Sequence, residues 1–439
     1  MPDDELAAIG RLMRFCSEQG LDDPDAADIR AHAALDGLDH DGMVVLERGL
    51  AILGASASLT DTIRIEAGKL CHRAEFAAIS FASRPRTRRV SVAPEELPQL
   101  WQDGLRSLRD ERAFAPSILD RMQQRLCLFA WSARRAGKPV DLASVPALKA
   151  CYADLRSRSM ERNGGRPRFA YLRSTWEEFD RFAAAIGLPD AARQVISNTL
   201  NMLRRCEDGQ SARKFAKLAG APDASNLIRL AGEMLDEAGT LQQPHHRHAA
   251  RNAAAAIALG IAVPARPGDV HAHHILGRGV FFDPGRAAWR FDYLPGKTRS
   301  SIPEPLELRL DPFWNRFIDA LILQDHDHRW LGELRHMAIT RQRPLYINYD
   351  GSACSPRWYS RIWAEHVGTG GHIARSLIYD EMADLGEFGL QYARLANHHR
   401  SDTIPKKYRG QAAVKKSIHR GQDAMVGRGG EGEDITNLL

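Results

Sequence analysis

Cysteine is scarce in this chain and never closely paired. Its six cysteines stand at positions 16, 71, 127, 151, 206 and 354, with no C-x-x-C spacing. That argues against a disulfide framework and predicts reduced thiols in a cytosol. Long apolar runs are missing too. No stretch approaches the roughly 18 residues that span a bilayer, and the acidic start "MPDDELAAIG" is not a basic-then-apolar signal peptide. No membrane partner is therefore expected. A nucleotide-type phosphate loop is lacking as well, because "GTGG" at 368–371 is not followed by Lys-Ser/Thr. Acidic residues disappear between positions 405 and 420, where Lys406, Lys407, Arg409, Lys415, Lys416 and Arg420 cluster. Such a run is either a solvated face or a surface for a polyanion.

What is present is ordinary globular material, with 44% hydrophobic and 26% charged residues over 439 positions and a net charge of +5. This length exceeds one typical core, so two or three domains are expected. Helical periodicity dominates the first part of the chain, with "DELAAIGRLMRFCSEQG", "GMVVLERGLAILGA" and "SLTDTIRIEAGKLCHRAEFAAI" as its segments. A Pro- and Arg-rich stretch at 83–97 reads as a linker. A second helical block follows at 113–208, where arginines interleave with aromatics. Of these, Arg166, Arg168 and Arg173 are candidates for DNA-backbone contacts, with a merely solvated helix face as the alternative. From 209 the pattern changes. The Ala-rich "HRHAARNAAAAIALGIA" predicts a buried helix, and "ARPGDVHAHHIL" a Pro/Gly corner running into a short strand. "AAWRFDYL", "GKTRSSI" and "LELRL" predict a small antiparallel sheet with a turn at "PGKT". The fold class expected is therefore mainly α with a small antiparallel β-sheet. The domains expected are a helical N-terminal domain at 1–112, a helical domain at 113–208, an α+β domain at 209–410, and a basic then flexible tail at 411–439.

One constellation carries chemistry. In chain order it comprises Arg266 in "PARPGD", Lys297 in "LPGKTR", His372 and Arg375 in "HIAR", then His399 and Tyr408 in "LANHHRSDTIPKKYRG". A phenol with a pKa of about 10 is a poor nucleophile until a base takes its proton and cations surround the phosphate it attacks. Two guanidiniums, Arg266 and Arg375, match phosphate oxygens as planar forks. Lys297, on a turn, is suited to protonate a leaving 5′ oxygen. His372 is the candidate acceptor of the tyrosine proton, sharing one helical face with Arg375. His399 is the candidate donor to a non-bridging oxygen, with His398 as its competitor. Asp269 is placed to orient the Arg266 corner. Lys406, Lys407 and Arg409 flank Tyr408 as DNA-contacting cations. No cofactor is expected, since three cations neutralise the developing charge without metal and the phosphotyrosine ester retains the bond energy without ATP. Histidines also cluster at 245–248, 271–274 and 326–328. They lack metal-site spacing and are read as solvated or DNA-facing.

These motifs resemble the tyrosine recombinases, the phage-integrase family. "ARPGDV" is similar to the family's first arginine box, "GKTRSSIP" to its β-hairpin lysine, "HIARSLIYDEM" to its His-x-x-Arg box, and "ANHHRSDTIPKKY" to the lambda-type His-to-Tyr segment. In this chain Val263-Pro264-Ala265 stand before the first arginine, and Ala-Asn-His-His replaces the usual Leu-Gly-His. The resemblance implies a catalytic domain over 209–410 and a core-binding domain at 113–208 that clasps DNA. It implies site-specific cutting and rejoining of double-stranded DNA through a 3′-phosphotyrosine, for a mobile element, by a tetramer on DNA that accessory or sister recombinases assist. A cytoplasmic, nucleoid-associated location goes with it. The alternatives are a non-catalytic architectural DNA-binding protein on the same scaffold, or a type IB topoisomerase-like relaxer.

Overall fold

The Ala-rich run becomes the centre of the molecule's larger unit. In the computed structural model, helix Pro244–Ala262 is buried at every position from Asn252 to Ile261. A helix apolar on all sides must be covered on all sides, which is why it lies in the core and not at the surface. The structure describes residues 1–78, 90–210, 217–218, 220–299 and 302–399, with the backbone alone for 72–78 and 384. Helices in chain order are α1 (Asp3–Gln19), α2 (Ala26–Asp36), α3 (His40–Ile52), α4 (Ala57–Ala78), α5 (Gln99–Asp110), α6 (Pro116–Arg135), α7 (Val145–Glu161), α8 (Phe169–Ala185) and α9 (Asp190–Asp208). They continue as α10 (Ala224–Ala238), α11 (Pro244–Ala262), α12 (Pro267–His273), α13 (Asn315–Leu323), α14 (Leu331–Thr340), α15 (Pro356–Val367), α16 (Ala374–Met382) and α17 (Gly386–Ala396). Strands β1 (Val280–Asp283), β2 (Ala288–Tyr293) and β3 (Leu306–Arg309) form one antiparallel sheet in the order β1-β2-β3. The fold is thus mostly helical with a small sheet. The corner after α11 differs from the expected strand, because Pro267 opens the short helix α12 with Arg266 as its N-cap residue.

The chain divides into two compact units, one of Met1–Phe81 with Lys214–Leu439 and the other of Ala82–Arg213. These boundaries depart from the expected break at 112/113. Trp101, Leu105 and Leu108 of α5 are buried with Phe129, Trp176, Phe179 and Phe182 in the core of the second unit. The amphipathic α5 therefore belongs with the helical block that follows it.

The first four helices, by contrast, join the core built around α11. Ile9, Leu12, Phe15, Ile29, Met43 and Leu46 share one buried cluster with Phe317, Leu321 and Trp330. Phe15 and Trp330 lie with ring centroids 5.1 Å apart. Arg30 donates to the Asp325 carbonyl at 2.8 Å, and Arg329 reaches Asp28 at 2.8 Å and Asp25 at 2.9 Å. Buried aromatic area supplies most of the attachment, since exposed ion pairs each contribute about 0–1 kcal/mol.

On the far side of α11, helix α15 packs against glycine. A Cβ on Gly260 would lie 2.5 Å from the Trp363 ring, and one on Gly371 would lie 2.5 Å from the Tyr359 ring. Gly371 is the last glycine of "GTGG", so that segment serves close packing beside His372. Among the described residues no single helix is long and apolar enough to cross a membrane; one bent pair, α11 with α12, passes by length and composition.

Candidate active site

The site is built where three distant segments meet at the Arg375 side chain. Arg375, in the first turn of α16, is buried. Its Nη1 donates to the Pro264 carbonyl at 2.6 Å, across 111 residues of chain. Its Nη2 donates to the Asn397 carbonyl at 2.6 Å and to His399 Nε2 at 3.0 Å. Pro264 stands two residues before Arg266, so the second guanidinium holds the backbone that presents the first. Here the contact is made by a backbone carbonyl, which any residue supplies. This explains how Val263-Pro264-Ala265 can stand before the arginine. Asn397 returns the bond, donating from Nδ2 to the Arg375 carbonyl at 3.3 Å and to the Ala393 carbonyl at 2.8 Å.

Arg266 is only partly covered, with 21% of its side chain exposed, and its Nη1 lies 3.5 Å from Asp269 Oδ2. The other carboxylate oxygen, Asp269 Oδ1, accepts the Gly296 N–H at 2.9 Å. One carboxylate thus joins the Arg266 corner to the turn that carries Lys297. That turn lies in the β2–β3 connection and is closed by the Thr298 and Arg299 N–H groups donating to the Pro295 carbonyl at 3.2 and 3.1 Å. Lys297 is exposed upon it.

The two adjacent histidines part company for a backbone reason. Helix α17 ends with the His399 N–H donating to the Arg394 carbonyl at 3.0 Å and the His398 N–H donating to the Leu395 carbonyl at 2.8 Å. This is the paired Schellman arrangement, whose C′ residue is left-handed. His398 occupies it at φ 52°. It takes the place where the resembled family puts glycine, at a cost of about 1–2 kcal/mol. Beyond that reversal the side chains diverge. His398 Nδ1 lies 2.9 Å from Thr298 Oγ1, and His398 Nε2 lies 3.1 Å from the Glu304 carbonyl. A carbonyl only accepts, so Nε2 donates and Nδ1 accepts from the threonine hydroxyl. His398 therefore pins the β2–β3 connection, while His399 faces Arg375.

His372 differs from expectation. It lies in the 3-10 turn Gly371–Ile373 ahead of α16, and it is exposed while Arg375 is buried. The pair does not lie on one α-helix, since His372 belongs to the 3-10 turn and the α-helix begins at Ala374. Tyr408 lies outside the described residues, as do Lys406, Lys407, Arg409 and the 411–439 tail. In the other unit, Arg166 and Arg168 are exposed in the loop between α7 and α8. Arg173 departs from its expected DNA role, since it pairs with Glu177 at 2.6 Å and with Glu207. Two carboxylates have claimed that cation.

Residues to which the motif reading gave no role complete the shell. Tyr379, four residues after Arg375 and so on its helical face, has its hydroxyl 2.8 Å from His399 Nδ1, and the two rings are tilted by only 8°. Tyr293 ends β2 beside the cations. Burial first, then the Asp269 carboxylate, pushes its phenol above the ordinary range against the opposing pull of Arg375 and Arg266. Both guanidiniums thus act on one small region, and Tyr293 stays a neutral hydroxyl there.

The histidine clusters are partly core, which corrects their reading as solvated or DNA-facing. His248 bonds Gln324 Oε1 at 3.0 Å and the Ile347 carbonyl at 2.8 Å. His274 is buried against Phe291 and Tyr293, and burial, with His273 adding, pushes its pKa down to about 3. Among the described residues no group of three His, Cys, Asp or Glu side chains is placed to hold a metal ion.

No protein-family model matches the chain, and no curated protein matches it. The geometry and the motifs therefore carry the functional argument alone.

Proposed function

We propose that this chain is a site-specific DNA recombinase of the tyrosine type, cutting and rejoining strands through a 3′-phosphotyrosine at Tyr408. The observation that carries this reading is Arg375, whose buried guanidinium binds the Pro264 carbonyl beside Arg266 on one side and His399 on the other. Sequence boxes matched by order alone have no physical reason to converge. Here Arg375 is hydrogen-bonded to His399 and to the backbone two residues before Arg266, and Asp269 joins Arg266, by an ion pair, to the lysine turn, by a hydrogen bond.

In the reaction the Tyr408 oxygen attacks phosphorus as its proton passes to a base, with His372 the candidate. The bond to the 5′ oxygen breaks, and Lys297 gives that oxygen its proton. Charge on the pentacoordinate phosphate is met by Arg266, Arg375 and His399, and each such donor is worth about a hundred- to a thousandfold in rate. Reversal by a 5′ hydroxyl of another strand rejoins DNA with no metal and no ATP. The proposed partner is double-stranded DNA bearing a core site, gripped in part by Arg166 and Arg168. The proposed assembly is a tetramer on DNA, with accessory or sister recombinases, serving a mobile element at the cytoplasmic nucleoid.

The test is a nicked suicide duplex carrying the end sequences of the genetic element that encodes the chain. Wild type should form a covalent protein–DNA band, unchanged by EDTA, that Tyr408→Phe cannot form. Equal gel retardation by both with no covalent band sinks the enzymatic reading in favour of an architectural one. Relaxation of any supercoiled plasmid without a recognition sequence points instead to a type IB-like relaxer.

A further inference from the structure

The hydrogen bonds around His399 determine where its ring proton sits. A guanidinium N–H only donates, so the 3.0 Å contact from Arg375 Nη2 makes His399 Nε2 an acceptor. A ring protonated at both nitrogens would aim an N–H at an N–H. The neutral ring therefore carries its proton on Nδ1 and donates it to Tyr379 Oη at 2.8 Å. That tautomer has no Nε2 proton to offer a phosphate. Both side chains are buried, at 0% exposure for Tyr379 and 5% for His399, and their rings are nearly parallel. A hydroxyl both donates and accepts, so Tyr379 can serve either tautomer by turning its O–H about the C–O bond.

We propose that Tyr379 is a positioning residue that gives His399 Nδ1 a partner in either ring tautomer, so that the group facing Nε2, Arg375 or a phosphate oxygen, decides which nitrogen carries the proton. This rests on reading the site as a phosphodiester clamp. When a phosphate oxygen replaces His399 as acceptor for Arg375, Nε2 is released. One proton leaves Nδ1 to water and one is taken up at Nε2 from water, so the ring stays neutral. Tyr379 turns from acceptor to donor and bonds the bare Nδ1. Nε2–H then points at the phosphate oxygen. The free site thus keeps His399 mute, and phosphate arrival switches it on.

The test uses the full chain labelled with 15N-histidine, the His399 signals being those missing from His399→Gln. Vanadate serves as the probe, since it mimics a pentacoordinate phosphate. In the free protein His399 should show the Nδ1–H tautomer, and vanadate should convert it to Nε2–H. Tyr379→Phe keeps the ring and the packing but leaves the imidazole unheld at Nδ1, so the conversion should be incomplete and vanadate binding about tenfold weaker, the loss expected for one buried hydrogen bond. On a nicked duplex it should slow cleavage about ten- to a hundredfold without changing DNA affinity. In a His399→Gln background, whose amide donor needs no tautomer, Tyr379→Phe should add nothing, whereas a merely structural role would give additive losses. Nε2–H in the free protein, no response to vanadate, or full conversion with unchanged vanadate affinity in Tyr379→Phe each overturns the proposal. The recombinase reading fails separately, by a normal tautomer change with no covalent Tyr408 adduct.

Discussion

Arg375 and Arg173 are both partly or wholly sequestered, yet their surroundings are opposite in kind. Arg375 is held by two carbonyls and an imidazole, groups that orient a guanidinium without cancelling its charge. Arg173 is held by Glu177 and Glu207, which orient it and cancel it. The first pattern keeps a cation available to an anion. The second turns a cation into a helix clamp between α8 and α9. An arginine count therefore says little about nucleic-acid contact until each partner is known.

The largest test of this contrast is Arg375→Ala. It removes the proposed phosphate donor and also takes its partner from the Pro264 and Asn397 carbonyls, so cleavage of a nicked duplex should fall by at least about a thousandfold. Arg375→Lys should do little better, because one ammonium cannot span the same carbonyls and imidazole. Gel retardation should stay within a few-fold of wild type; its loss would mean that the residue serves folding alone.

Asp269 comes next, as the tie between Arg266 and the lysine turn. Asp269→Ala frees the Gly296 N–H and should slow cleavage by about ten- to a hundredfold. Asp269→Asn retains an acceptor for that N–H and should lose markedly less. Equal losses in both variants would assign the effect to charge and not to the tie.

Beneath the same site, His274 makes stability depend on pH. Its folded pKa, pushed down to about 3, lies below the ordinary value near 6.5. As pH falls from 6.5 toward 3 the unfolded chain binds a proton that the folded chain refuses. Stability is then lost at about 1.4 kcal/mol per pH unit from this group. Urea midpoints measured from pH 7 to 4.5 should fall more steeply for wild type than for His274→Phe. Parallel slopes would refute this.

The smallest effects belong to the helical unit. Arg166→Ala and Arg168→Ala should each lower the slope of log affinity against log salt by about one. Arg173→Ala should leave that slope unchanged while costing about 0.5–1 kcal/mol of stability. A drop in salt slope for Arg173→Ala would erase the distinction drawn above.

How much of this was legible beforehand varies by residue. The buried Ala-rich helix was readable, since apolar character on every side admits only one environment. Two strands were readable from alternation in "AAWRFDYL" and "LELRL"; the third expected segment, "GKTRSSI", begins as a turn, β1 was not singled out, and the "PARPGD" corner opened a helix. The histidine choice was open between 398 and 399. It was decided by a left-handed residue closing α17, which "ANHH" does not advertise because histidine is an unusual occupant of that position. Tyr379 had a faint signal in its four-residue spacing from Arg375. Asn397 and Thr298 had none.

The amino-acid order by itself determined which segments coil, which alternate, and which cations and histidines the chain has to offer. Those properties depend on neighbours within one or two turns. Tertiary structure alone decided that the first four helices share a core with α11 and that α5 joins the other unit. It alone turned His399 toward Arg375 and His398 toward Thr298, and gave Arg173 to two glutamates. Each of those outcomes is a choice of partner, some across about a hundred residues of chain. A hydrogen bond is satisfied by whichever complementary group the packed core brings within 3 Å, and no local periodicity encodes that.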